Sequence, residues 1–203
     1  MTISLSLRVT TLPAILAAVL LTAFGALGQQ AFTDTRDRKS YRTVSVGGQN
    51  WMAENLNYAA GGSKCYGNKP ENCEKYGRLY DWKTARTACP AGWRLPSDAD
   101  WNKLIANAGD PLTAGAKLKS PDGWSDYRGK SGECTDDYGF SAMPGGYGNS
   151  GGGFGGAGDE GYWWTSTESS ANYAWYRYML YHNARVRRDD NNKAYLHSVR
   201  CVQ

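Results

Sequence analysis

All five cysteines of this chain, Cys65, Cys73, Cys89, Cys134 and Cys201, lie downstream of one apolar run near the N-terminus. The run, "VTTLPAILAAVLLTAFGALG", follows Arg8 and is apolar from Leu12 to Leu27 apart from Thr22 and small residues. It has the length of a signal-peptide core, and Ala26-Leu27-Gly28 offers small residues for cleavage before Gln29. It is short for a membrane span, and no basic stop-transfer cluster follows at once. The expectation is a signal peptide over residues 1–28 and no membrane span once it is cleaved. No cysteine directly follows the run, so a lipoprotein anchor of the usual kind is not supported. The rest of the chain is then expected to fold outside the cytosol, as a secreted, periplasmic or cell-surface protein, where disulfides persist.

Composition agrees with a cross-linked, loop-rich domain. There are 25 glycines, 14 tyrosines and 8 tryptophans, while Leu, Ile and Val are sparse. Such a chain builds its core from aromatic rings rather than from stacked aliphatic helices. The net charge of +4 is mild and interspersed, which argues against nucleic acid as a partner.

Residues 29–37 are polar and read as a tether, with one domain over 38–203 and no internal repeat. "YRTVSVGGQNWMAENL" reads as a hairpin turning at Gly47-Gly48-Gln49-Asn50. "GGSKCYGNKPENC" reads as a loop. "YDWKTARTAC" predicts a first helix capped by Asp81, with Trp82, Ala85, Ala88 and Cys89 on one face, ended by Pro90-Ala91-Gly92. A second helix starts at Ser97, with Asp98 and Asp100 at its positive end and Asp100 in the capping-box position. Its apolar stripe is Trp101, Leu104 and Ile105. Beyond Asn107 the chain reads as loop and strand, with "GYWWTST", "YAWYRYML", "ARVRR" and "YLHSVRCV" as strands. "GGYGNSGGGFGGAGDEG", residues 145–161, is too glycine-rich for a packed element and reads as a surface loop.

Cys65 and Cys73 flank one hydrophilic loop and are the easiest local pair. Cys89 ends a helix and Cys201 lies in the last strand, so a bond between them would close almost the whole domain. Sequence alone does not fix the connectivity, since four cysteines allow three pairings. Cys134 is left over as a free thiol or a link to another chain. No C-x2-C occurs, and His182 and His197 are the only histidines, so disulfides are favoured over a metal site.

Five blocks, "YRTVSVGGQNWMAENLNY", "GRLYDWKTARTACPAGWRLPSDADW", "DDYGFSAMPGGY", "GYWWTSTE" and "SVRCV", resemble in this order the Fibrobacter succinogenes major paralogous domain family. That resemblance implies no activity. "GWRLPSDADW" with "SVRCV" also looks like the paired signatures of formylglycine-generating and related sulfatase-modifying domains, which have a C-type-lectin-like fold. The fold implied is α+β, with two helices, small antiparallel sheets, long loops and neighbouring termini. A disulfide from the first helix to the last strand is typical of C-type lectins, which implies Cys89–Cys201.

The same resemblances disfavour two activities. Formylglycine-generating enzymes bind copper with a cysteine pair, and none stands after "WWTSTE". Sugar-binding C-type lectins hold calcium with Glu-Pro-Asn or Gln-Pro-Asp and Trp-Asn-Asp triplets, and neither occurs. "TDD" at 135–137 and "GDEG" at 158–161 contain oxygen ligands that suit calcium, but read first as solvated loop acids. No cofactor is expected, calcium being the one these oxygens would suit.

Aromatic rings remain as a binding resource. On "YAWYRYML", Trp175, Arg177, Met179 and Tyr181 share one face and Tyr176, Tyr178 and Leu180 the other, which reads as a buried central strand. Tyr147, Phe154 and Tyr162 border the glycine-rich segment and are the expected ligand contacts, because loops on rigid scaffolds carry recognition. "ARVRRDDNNK" reads as a solvated hairpin whose Arg185, Arg187 and Arg188 offset Asp189 and Asp190. The chain is therefore expected to be a non-catalytic exported module that binds a polysaccharide or a surface protein. The alternatives are a metal-dependent enzyme of the sulfatase-modifying type and a structural cell-surface component.

Overall fold

The computed structural model describes residue 1 and residues 30–127, 130–131 and 134–203. The signal-peptide reading over 1–28 lies, Met1 apart, outside the described residues.

The fold is α+β. It opens with an antiparallel meander: β1 (Gln30–Thr33), β2 (Ser40–Val46) and β3 (Gln49–Met52). The β2–β3 turn is the expected one, because Gly47 and Gly48 both take positive φ and so match the twist of the flanking strands. The expected tether is different. Residues 30–33 pair with 40–43, and Phe32 packs on Trp93 with ring centroids 5.3 Å apart.

The segment read as a loop around Cys65 and Cys73 contains a 3-10 turn at Tyr66–Asn68 and a short helix, α1 (Pro70–Tyr76). Proline at the start of α1 replaces an amide that would have no partner in the helix. The chain then forms β4 (Leu79–Tyr80) and α2 (Trp82–Ala88), which Asp81 caps by accepting from the Thr84 amide at 2.7 Å. Helix α3 (Asp98–Ala108) begins with the expected reciprocal cap between Ser97 and Asp100, and its stripe of Trp101, Leu104, Ile105 and Ala108 is buried. Each fully buried large apolar side chain contributes roughly 1.5–3 kcal/mol. A fourth short helix, α4 (Ala114–Leu118), follows, so the described residues hold four α-helices rather than two.

After a two-stranded ribbon, β5 (Asp126–Tyr127) and β6 (Lys130–Ser131), the remaining strands complete the main sheet. They are β7 (Gly145–Gly148), β8 (Phe154–Ala157), β9 (Glu160–Glu168), β10 (Tyr173–Leu180), β11 (Arg187–Asn192) and β12 (His197–Ser198). The strand order is β11-β10-β9-β12-β4, with β7 also beside β9 and β8 beyond β7. The glycine-rich loop is thus a hairpin. Its glycines admit rings that a side chain would displace: a Cβ at Gly155 would sit 3.1 Å from the Tyr147 hydroxyl, and one at Gly148 2.9 Å from Leu196. The charged hairpin expected over residues 184–193 is instead mostly one strand, β11, paired with β10.

Two aromatic cores flank the sheet. On the α3 side, Trp51 meets Trp101 at 5.3 Å and Phe140 at 5.7 Å, and Trp101 meets Trp163 at 6.0 Å. On the α2 side lie Tyr80, Trp82, Ala85, Trp164 and Cys201. The closing segment "SVRCV" is gripped on both edges. Met52 N donates to Cys201 O, Leu56 N to Val199 O, and Arg94 and Val202 exchange a backbone pair at 2.9 Å. At its centre the fully buried Arg200 guanidinium donates to Asn55 Oδ1 and to the carbonyls of Met52, Phe140 and Ser141. Burial lowers its pKa to about 9, which leaves it a cation at neutral pH. The disulfides Cys65–Cys73 and Cys89–Cys201, with Cα atoms 4.9 and 5.9 Å apart, are the two pairs singled out in the sequence.

Candidate functional site

Strands β9 and β10 send alternate side chains to opposite faces. Trp163, Arg177 and Met179 point toward α3, where Arg177 Nη2 donates to Asp98 Oδ1 at 2.6 Å and to Asn102 Oδ1 at 2.7 Å. Arg188 reaches the same carboxylate and lies over the Trp175 ring, 3.4 Å from its centroid. The sequence reading of this strand as central and buried holds on that side, since α3 covers it.

The opposite face is a field of tyrosines. In register, Tyr162 of β9 stands opposite Tyr178 of β10, and Trp164 opposite Tyr176. The Tyr162 and Tyr178 rings are nearly parallel, 19° apart with centroids at 5.7 Å. His197 of β12 enters the same face, 4.3 Å from Trp164, 4.9 Å from Tyr176 and 5.2 Å from Tyr162. Tyr147 of β7 meets Tyr162 edge-on at 5.5 Å, and Tyr195 stacks on Tyr147 at 6.4 Å. Trp164, Tyr176 and His197 form the buried floor, while Tyr147, Tyr162, Tyr178 and Tyr195 are only half-buried. Charge lies at the rim: the Tyr162 hydroxyl donates to Glu160 at 2.8 Å, Arg187 lies 5.9 Å over Tyr178, and Asp189 is in register with Tyr176.

Tyr162, Tyr176 and His197 stay neutral through the ordinary pH range. Burial, the Glu160 hydrogen bond and the Glu160 charge raise the Tyr162 pKa, and burial followed by the Asp189 charge raises that of Tyr176. Burial pushes the His197 imidazole down to about 3. Neither of its ring nitrogens has a hydrogen-bond partner of normal geometry, and the ring packs against Trp164, Tyr176 and Tyr162. The face presents flat apolar rings and hydroxyls above a rigid floor.

Of the three expected contact residues, the structure brings Tyr147 and Tyr162 together and separates Phe154. Tyr147 pairs with Gly155 and Phe154 with Gly148, so the two rings leave opposite sides of the hairpin, and Phe154 packs on Tyr66 at 5.5 Å. Sequence reasoning left Tyr176, Tyr178, Tyr195 and His197 out of the site. The available signal was the matched spacing of Tyr162-x-Trp164 and Tyr176-x-Tyr178, which a correct strand register would have aligned.

Two of the four acids considered for calcium have other partners. Asp136 accepts from the Ser141 amide and hydroxyl at 2.7 and 2.6 Å, and Glu160 accepts from Tyr162. Among the described residues no group of three or more His, Cys, Asp or Glu is placed to hold a metal ion. Cys134 is half-buried and unpaired, and burial pushes its thiol up. No described helix is long and apolar enough to cross a membrane.

Fold and site together define a disulfide-stapled α+β domain that displays a tyrosine surface on one sheet face. The chain belongs to the Fibrobacter succinogenes major domain family, whose model matches residues 44–203. The match covers four of the five blocks completely and the first from Val44 onward. Neither the curated proteins nor the solved structures compared with it include a match.

Proposed function

We propose that this protein is an exported, non-catalytic binding module of C-type-lectin-like architecture that recognises a polysaccharide through its tyrosine face. The observation that carries this reading is the continuous patch of half-exposed rings, Tyr147, Tyr162, Tyr178 and Tyr195, on a buried floor of Trp164, Tyr176 and His197. Tyrosine suits a sugar face because its ring supplies apolar area while its hydroxyl bonds to a sugar hydroxyl. Glu160, Arg187 and Asp189 at the rim add fixed acceptors and a donor, as binding sites with apolar walls and a few polar groups commonly do. The architecture is supported by the tie between α2 and the last residues through Cys89–Cys201, and by the seating of Val202 between Trp51 and Arg94. Export is supported by the N-terminal apolar run and the two disulfides. A non-catalytic role is supported by the sealed, neutral His197 and by the commitment of four of the five cysteines to disulfides, which leaves Cys134 without a partner thiol for copper.

A glycan array probed with the full chain tests the proposal, followed by affinity measurement on the best polysaccharide. Tyr147→Ala and Tyr178→Ala should each weaken binding by about 1–3 kcal/mol, or roughly fivefold to 150-fold, while leaving thermal unfolding cooperative. Unchanged affinity in both folded variants would overturn the assignment of the face.

A further inference from the structure

Away from the tyrosine face, a cleft of about 420 Å³ opens between β2, the segment after β3 and the end of α1. Its size falls within the roughly 300–1,000 Å³ of small-molecule sites. The lining carries both signs of charge, Lys39, Arg42 and Lys75 against Glu54 and Glu74. Much of that charge is already matched. Arg42 gives its backbone amide and Nε to Glu54 at 2.7 and 2.9 Å, and Lys39 Nζ donates to the Asn57 carbonyl at 2.7 Å. A strongly ionic ligand therefore meets no large uncompensated charge here.

The lining instead offers donors and acceptors in alternation. The Asn57 Nδ2 reaches Glu74 at 3.4 Å, and the other carboxylate oxygen of Glu74 remains an acceptor. Lys39 has two further ammonium hydrogens, and the Arg42 fork has donors beyond Nε. A sugar hydroxyl both donates and accepts, so a ring bearing several hydroxyls can meet such a mixed wall without carrying charge.

We propose that this cleft is a second site, separate from the tyrosine face, that binds one neutral sugar unit by hydroxyls donating to Glu74 and accepting from Lys39 and Arg42. The test is calorimetric titration of the full chain with methyl glycosides of neutral hexoses and pentoses and with the matching uronates, at millimolar concentration. At least one neutral glycoside should bind saturably. Arg42→Ala, at a half-buried position, and Glu74→Ala, at an exposed one, should each weaken it by about tenfold, the scale of one hydrogen bond to a charged group. Tyr178→Ala should leave it unchanged. The proposal is overturned if no neutral glycoside binds, if only uronates bind, or if both cleft variants bind as the parent does. Loss in Tyr178→Ala alone also overturns it, by placing the sugar on the tyrosine face. Failure of the tyrosine-face reading appears separately, as polysaccharide affinity that Tyr178→Ala does not change.

Discussion

The two disulfides close loops of very different length with cysteines of similar burial, and this makes their relative contributions predictable. Cys89 and Cys201 are 112 residues apart, Cys65 and Cys73 only 8. In each pair one cysteine is buried and the other half-buried, so replacing both members by alanine removes comparable apolar contact. What differs is the freedom restored to the unfolded chain. The chain-entropy relation gives about 4.8 kcal/mol for the long loop and about 2.5 kcal/mol for the short one at 25 °C, as upper figures. The paired variant Cys89→Ala/Cys201→Ala should therefore lose about 2 kcal/mol more than Cys65→Ala/Cys73→Ala. Urea unfolding without reductant, followed by tryptophan fluorescence, measures both. The eight tryptophans, several at the core contacts between α3 and the sheet, make the signal global. Equal losses, or a greater loss from the short pair, would refute the loop-length argument and show that native contacts around α1 outweigh the loop entropy.

His197 gives a pH signature. The unfolded chain takes up a proton near the ordinary imidazole value and the folded one only near about 3, so stability should fall as pH drops from about 6 to about 4, by about 1.4 kcal/mol per unit. Urea midpoints across that window should slope in the parent and flatten in His197→Phe; equal slopes would exclude His197 as the source. Arg200→Met should cost about 3–5 kcal/mol, because the carbonyls of Met52, Phe140 and Ser141 would lose a shared donor in a dry interior. Chemical denaturation checks it, and a loss below about 1 kcal/mol would show that the cation is replaceable by packing alone.

Elements whose signals are local were legible in the sequence. Helix α3 has its cap, its acidic first turn and its apolar stripe within twelve residues, and all three act together in the structure. The β2–β3 turn needed only the positive φ of two adjacent glycines. What failed were elements stabilised from outside. Helix α1 has only seven residues, too short for a periodic pattern to stand out, and the Cys65–Cys73 bond ties it to the preceding turn. Strand β1 is largely exposed and exists as an edge on β2, with Phe32 against Trp93. The β7–β8 hairpin was hidden by its glycines, which look like loop residues until the ring of Tyr147 and the side chain of Leu196 are seen filling the space beside them.

The tyrosine face was half legible for a similar reason. Alternation along β10 assigns Trp175 and Arg177 to one face and Tyr176 and Tyr178 to the other, but it carries no information on which face a helix will cover. That face is set by tertiary contacts with α3, where Trp163 and Met179 pack in the core with Trp101, Leu104 and Ile105 and Arg177 binds Asp98 and Asn102. With the arginine face drawn under α3, the tyrosines are left outward, and α2 reaches only as far as Trp82 and Trp164. Tyr162 then gains its neighbours from β7, β10 and β12 at once. Core packing of Trp163 and Met179 together with the Asp98 ion pairs thus orients the sheet, and the surface left open has rings from β7, β9 and β10 and from Tyr195, whose proximity depends on register rather than on spacing along the chain.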